Sequence, residues 1–208
     1  MKKLKCILVA LLVSLASGTA FAKDFDWSQV WCNYGGGIEE GSWLLTIDAG
    51  LYYTDFINIA AYSSYGGTWF IPPVLVELQY AKKIWKLPFT FGGYAGLHAY
   101  GYKYPYSSYD SSSGTYISET KTVSSLGIFL GGEAEYHVML PPESLDVYVV
   151  TRLGANIPIW FGGRPTYYVP DYFTFGEAIG ASWYFNNLIG LNLEFGYPFS
   201  KFGVTLKF

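Results

Sequence analysis

The sequence predicts an all-β fold, an eight-stranded antiparallel up-and-down transmembrane β-barrel. Three observations lead there. From Trp43 to the last residue, apolar and other residues alternate with period two, as strands with unlike faces require. After residue 22 no stretch reaches the roughly 18 uncharged apolar residues of a membrane-spanning helix. Yet the chain is 51% apolar and 20% aromatic, with 24 glycines and only 14% charged residues, where soluble domains carry about 25% charge. Disorder is excluded, because it needs few aromatics and high net charge. A formal net charge of −3 leaves no basic patch for nucleic acid.

Residues 1–22 read as an export leader. Lys2, Lys3 and Lys5 precede an apolar run from Ile7 to Leu15, and Ala20-Phe21-Ala22 ends a small-residue site, the order of a secretory signal peptide. The run is too short to be an anchor helix. Cleavage after Ala22 removes three of the 13 basic residues and none of the 16 acids, moving the net charge from −3 to −6. Cys6 leaves with the leader, so Cys32 is left without a disulfide partner. Residues 23–41 fit no strand. Trp27, Trp31 and Tyr34 are spaced like one helical stripe before Gly35-Gly36-Gly37, and a plain periplasmic lead-in is expected. The barrel is assigned to residues 42–208.

Each strand follows from its alternation. The first run sets Trp43, Leu45, Ile47, Ala49 and Leu51 against Thr46, Asp48, Gly50 and Tyr52. The second sets Val74, Val76, Leu78 and Tyr80 against Glu77 and Gln79. The third sets Phe89, Phe91, Ala95, Leu97 and Ala99 against Thr90, Gly92, Tyr94, Gly96, His98 and Tyr100. The fourth sets Leu126, Ile128, Leu130, Ala134 and Tyr136 against Ser125, Gly127, Gly131, Glu133 and Glu135. The fifth sets Val147, Val149, Thr151, Leu153, Ala155 and Ile157 against Tyr148, Arg152, Gly154 and Asn156. The sixth, near Phe173 to Phe185, does not resolve. Either Glu177 shares a face with Phe175, Ile179 and Trp183, at the rim of the apolar band, or a bulge flips the alternation. The seventh sets Ile189, Leu191, Leu193 and Phe195 against Gly190, Asn192 and Glu194. The eighth sets Phe202, Val204, Leu206 and Phe208 against Gly203, Thr205 and Lys207. Strands of about 9 to 13 residues suffice to cross a bilayer when tilted. Long connections near residues 55–71, 103–122 and 158–172 alternate with shorter ones near 82–88, 139–145 and 186–187, the habit of outer-membrane barrels.

A soluble barrel would also alternate, with its apolar face inside. The second face decides between the two. It is built of Gly, Ser, Thr, Tyr and Asn with one or two charges per strand, which suits a crowded lumen and not a water-facing exterior rich in Lys and Glu. The aliphatic and aromatic face then meets lipid, and closure leaves no unpaired edge.

The leader, the eight alternating strands, the aromatic strand ends and the terminal Val204-Thr205-Leu206-Lys207-Phe208 resemble small eight-stranded outer-membrane β-barrel proteins. That class includes the OmpX-like and OmpW-like families, and the likeness covers residues 42–208. It implies residence in the cell outer membrane. It also implies recognition of Phe208, at the end of the last strand, by the barrel assembly machinery.

Function is read from three groups of residues. Asp48, Glu77, Glu133, Glu135 and Glu194 share the inward face with Arg152 and Lys207, and buried charges must pair. The expectation is a luminal ion-pair network. The alternative is a narrow channel for small or hydrophobic solutes, cation-preferring because acids outnumber bases. The two histidines, His98 and His137, have no serine in register and fall at opposite ends of the barrel, so neither catalysis nor a metal site nor any cofactor is expected. The Tyr/Ser-rich residues 104–116, with Tyr106 and Tyr109, and Tyr62, Tyr65 and Arg164 in the other long connections, are candidate contacts for an external partner. The competing reading gives these rings to an interfacial girdle. The expected partners are outer-membrane lipid, the assembly machinery and an extracellular ligand, and the chain is expected to be a monomer.

Overall fold

The computed structural model describes residues 27–54, 57, 60, 67–162 and 172–208. Eight strands follow one another: β1 (Trp43–Tyr52), β2 (Trp69–Ile84), β3 (Leu87–Asp110), β4 (Thr115–Met139), β5 (Leu145–Gly162), β6 (Phe173–Tyr184), β7 (Ile189–Gly196) and β8 (Phe199–Lys207). Each pairs antiparallel with the next, and β8 returns to β1 from Leu44↔Lys207 to Tyr52↔Phe199, closing the barrel. Closure pairs the ladder groups of β1 and β8 that would otherwise form two open edges.

The period-two pattern becomes the two faces of the barrel wall. Ile47, Leu78, Leu97, Leu130, Leu153, Ile179, Leu193 and Phe202, one per strand, are exposed on the outside. Asp48, Glu77, Tyr94, Glu133, Arg152, Ser182, Glu194 and Lys201, again one per strand, are buried inside. The polar face therefore forms the core, the reverse of a soluble barrel.

Several expectations are corrected. β3 and β4 have 24 and 25 residues, well beyond 9 to 13. Most of residues 104–116 is therefore strand, with only residues 111–114 left as a turn: β3 and β4 stay paired from Phe89↔Tyr136 to Asp110↔Thr115. Beyond Trp69↔Gly101 on one side and Val123↔Gly162 on the other they pair with no other strand among the described residues. Residues 103–110 and 115–122 thus form a two-stranded hairpin about 25 Å long, at roughly 3.4 Å per residue. β8 begins at Phe199, three residues before the eighth run read from sequence, so Lys201 lies within a strand. β6 alternates without a break against β5 and β7, and Glu177 faces outward with Phe175, Ile179 and Trp183. The wall does shift register between Ile71 and Val74, where Pro72 and Pro73 lack ladder donors.

One end of the barrel carries the short turns and the start of β1. There Trp85 and Lys86 connect the pair Ile84↔Leu87 with φ of 49° and 72°. The hairpin leaves from the other end. The segment before β1 packs against the barrel. Among its described residues Trp27–Gln29 is helical, and residues 30–41 fold across the short-turn end as a plug.

Candidate functional site

The interior is stacked in three layers. The floor is the plug and what holds it. Tyr34 and Ile38 are buried against Leu44, Ala81 and Tyr184. Gly35 N–H donates to Asp146 Oδ1 at 3.2 Å and Gly36 N–H to the Leu145 carbonyl at 3.1 Å. Lys207 Nζ donates to the carbonyls of Gly36 and Gly37 at 2.9 and 2.6 Å. The glycines are required here. Gly36 has φ +62°, and a Cβ on it would strike the Tyr184 ring. Tyr34 donates its hydroxyl to the Phe89 carbonyl at 2.9 Å, and burial pushes its phenol up to about 12. At the plug's outer edge Lys82 Nζ lies 2.9 Å from Glu40, and that hydrogen bond holds the Glu40 carboxyl below its usual range.

The middle layer is ionic. Arg152 on β5 donates from Nε to Glu133 Oε2 at 2.8 Å and from Nη2 to Glu194 Oε2 at 2.8 Å. Its Nη1 also meets Glu194. Lys201 on β8 lies 2.7 Å from Asp48 and contacts Glu77. Glu77 links the two cations, with its Oε1 3.5 Å from Arg152 Nη2. Gln79 completes Glu133 with a 2.8 Å bond. The fork of Arg152 suits such bridging, since a guanidinium presents planar paired donors. Two cations thus face four carboxylates donated by β1, β2, β4 and β7.

The roof is aromatic. His98 stacks on Phe129 with centroids 4.4 Å apart and meets Asn156 Oδ1 through Nε2 at 3.3 Å. Tyr52, Tyr94 and Phe199 pack around Phe129. Rings this large fit because glycine stands opposite them. A Cβ on Gly127 would land on the His98 ring, and one on Gly154 would land on the Tyr94 hydroxyl. Tyr100, Tyr102 and Val123 continue the stack toward the hairpin, with Trp160 against it.

A comparison with protein-family models, with curated proteins and with solved structures finds no match. The reading of this interior therefore rests on its own chemistry.

Of the residues singled out from sequence, Asp48, Glu77, Glu133, Arg152 and Glu194 meet in the middle layer. Lys207 does not join them; it points inward but serves the plug. Glu135 is also apart, accepting from Thr90 at 3.2 Å and lying 3.6 Å from His137. The second cation, Lys201, was missed because its strand was started at Phe202. Tyr106 lies on the hairpin face that looks over the barrel mouth, with Lys121 Nζ 3.3 Å from its ring centroid. Tyr109 is exposed and pairs with Tyr116, centroids 5.2 Å apart. Tyr62, Tyr65 and Arg164 lie outside the described residues, as do residues 1–22. Phe208 is exposed and exchanges backbone bonds with Trp43 at 2.7 and 3.0 Å. At the hairpin tip Asp110 accepts from the Ser112 and Ser113 hydroxyls, both at 2.7 Å, which holds its carboxyl at about 2.

Sequence spacing also missed a hydrogen-bond chain. His137 Nδ1 lies 2.9 Å from Asp146 and its Nε2 lies 3.1 Å from Thr90 Oγ1. A hydroxyl, an imidazole and a carboxylate in line have the geometry of a nucleophile, a base and an orienting acid. The space beside them has a volume of about 10 Å³, room for one water.

Proposed function

We propose that this chain is an exported, integral outer-membrane β-barrel that acts as a non-enzymatic surface protein, with the β3–β4 hairpin as its contact with an external partner. One observation carries the reading: a closed barrel with a cluster of charges inside and an apolar exterior around all eight strands, interrupted among the described residues by the one charge of Glu177. Monomeric soluble proteins rarely expose contiguous apolar patches above a few hundred Å², and hydrocarbon is the solvent that such an exterior fits. Trp43, Tyr80, Phe89, Tyr136 and Trp183 lie outward near the short-turn end, and Tyr53 stacks with Tyr197 toward the other, in keeping with aromatic girdles. The leader read in residues 1–22 supplies the export route, and Phe208 closing β8 onto β1 suits a terminal strand recognised during assembly. The filled lumen supports a surface protein over a solute channel. Tyrosines on a projecting hairpin offer rigid contact area with little entropy to lose.

Protease treatment of intact cells, with migration before and after boiling, tests both parts. The expected result is a heat-sensitive folded band and cleavage within residues 111–114, with the Trp85–Lys86 turn protected. A leader-free chain that folds and stays dissolved in buffer without detergent overturns the reading.

A further inference from the structure

Glu177 stands out on the outer wall. Among the described residues it is the one charged side chain on the outward face of the barrel between Lys82 at the short-turn end and Lys103 at the base of the hairpin. Its backbone is satisfied, the carbonyl accepting from Tyr197 N–H at 3.0 Å, so the exception concerns the carboxylate alone. Phe173 and Phe175 precede it on the same face, and Ile179 and Trp183 follow. Phe173 is four residues away, about 13 Å along the strand, farther than a glutamate side chain spans. A carboxylate within an apolar belt is disfavoured unless something pairs with it.

Its neighbour is informative. The register partner of Glu177 on β5 is Thr151, exposed and outward, a hydroxyl donor beside an acceptor. The rows above and below are apolar register pairs, Leu153 with Phe175 and Val149 with Ile179, all exposed. Two copies in one bilayer share its normal, so a two-fold axis relating them runs along the barrel axis. Such an axis, placed between β5 and β6, sets Thr151 of each copy against Glu177 of the other, and contact of this kind is self-complementary. No outward cation lies within the belt among the described residues, so a second copy would answer Glu177 with a hydroxyl and not a charge. Hydrogen bonds between polar side chains are the usual glue where lipid removes the hydrophobic drive to associate.

We propose that the β5–β6 face docks against the same face of a second copy in the membrane, with each Thr151 hydroxyl donating to the other copy's Glu177 carboxylate. This rests on the membrane reading above and deepens it by naming a partner. The partner is the chain itself, so the monomer expected from sequence becomes a dimer.

The test is the oligomeric state of the full chain, taken from membranes of expressing cells and followed by cross-linking in those membranes and by sedimentation in detergent. Wild type and Glu177→Gln, which keeps a polar acceptor, should dimerise. Glu177→Leu and Thr151→Val should each weaken dimerisation about tenfold, because either change, present in both copies, removes both symmetry-related hydrogen bonds. The double variant should lose little more, because both changes remove the same two contacts. All four should keep the same heat-sensitive band. A wild type that is monomeric in the membrane, or a dimer indifferent to both substitutions, overturns the proposal and leaves the membrane reading intact. A chain absent from the membrane fraction overturns both.

Discussion

Arg152 shows how context sets the worth of a charge. It is buried and touches Glu77, Glu133 and Glu194, so removing it leaves three buried carboxylates short of a partner. Breaking a buried pair this way costs about 3–5 kcal/mol, a large share of a typical stability. Arg152→Ala should lower the urea midpoint of the detergent-refolded barrel accordingly, whereas Lys82→Ala, at an exposed pair with Glu40, should leave it nearly unchanged. Gly36 makes a different kind of demand. Gly36→Ala places a Cβ at positive φ and against Tyr184, a strain of at least about 1 kcal/mol, and should release the plug. Cys32, half-buried in that segment, reports the release through faster alkylation. Tyr34 gives the plug a pH limit. Its phenol sits at about 12 when docked against an ordinary 10.0, so the undocked form loses its proton first as pH rises. Docking contributes fully below pH 10 and weakens toward pH 12, and Cys32 alkylation should accelerate across that window after correction for free thiol ionisation.

Among the elements, the Trp85–Lys86 turn and the β3–β4 hairpin pull in opposite directions. A two-residue hairpin turn with both φ positive favours Asn-Gly, yet here it holds Trp and Lys. Replacing the two with Asn-Gly should raise the unfolding midpoint by about 1–2 kcal/mol of stability, because each bulky residue at positive φ costs on the order of 1 kcal/mol or more. The hairpin lies beyond the closed wall, so deleting residues 104–116 should leave heat-sensitive migration intact. It should abolish cell adhesion if the hairpin is the contact, and unchanged adhesion would remove that role. The same element shows why periodicity misjudged the strands. Ser, Tyr and Thr in residues 104–116 have the composition of a loop, but cross-strand pairing of Tyr109 with Tyr116 and of Tyr104 with Lys121 holds them as a ladder.

Across the whole molecule, the plug, the ionic layer and the aromatic roof each fill the lumen. The space among the polar side chains near the floor, about 10 Å³, has room for about one water. Planar-bilayer recording of the refolded barrel should therefore show no stable conductance, and Arg152→Ala should not create an anion-selective one, since the lining acids outnumber the cations. A steady wild-type conductance would contradict the filled interior. Cooperative unfolding is expected as well, because the ionic layer joins β1, β2, β4, β5, β7 and β8 in one cluster.

The sequence by itself determined the strand count, the order of the strands and the face of most residues in the runs it assigned, because a period of two is a local property of the chain. Even the ambiguous Glu177 was narrowed to two orientations before the uninterrupted register of β6 chose between them. Only the tertiary structure decided who meets whom inside. Lys201 reaches Asp48 across 153 residues and Lys207 reaches Gly36 across 171, and those meetings depend on how eight tilted strands are staggered when the barrel closes. Stagger is set jointly by all the pairings, so no local pattern reveals that one lysine joins the acids while the other holds a plug.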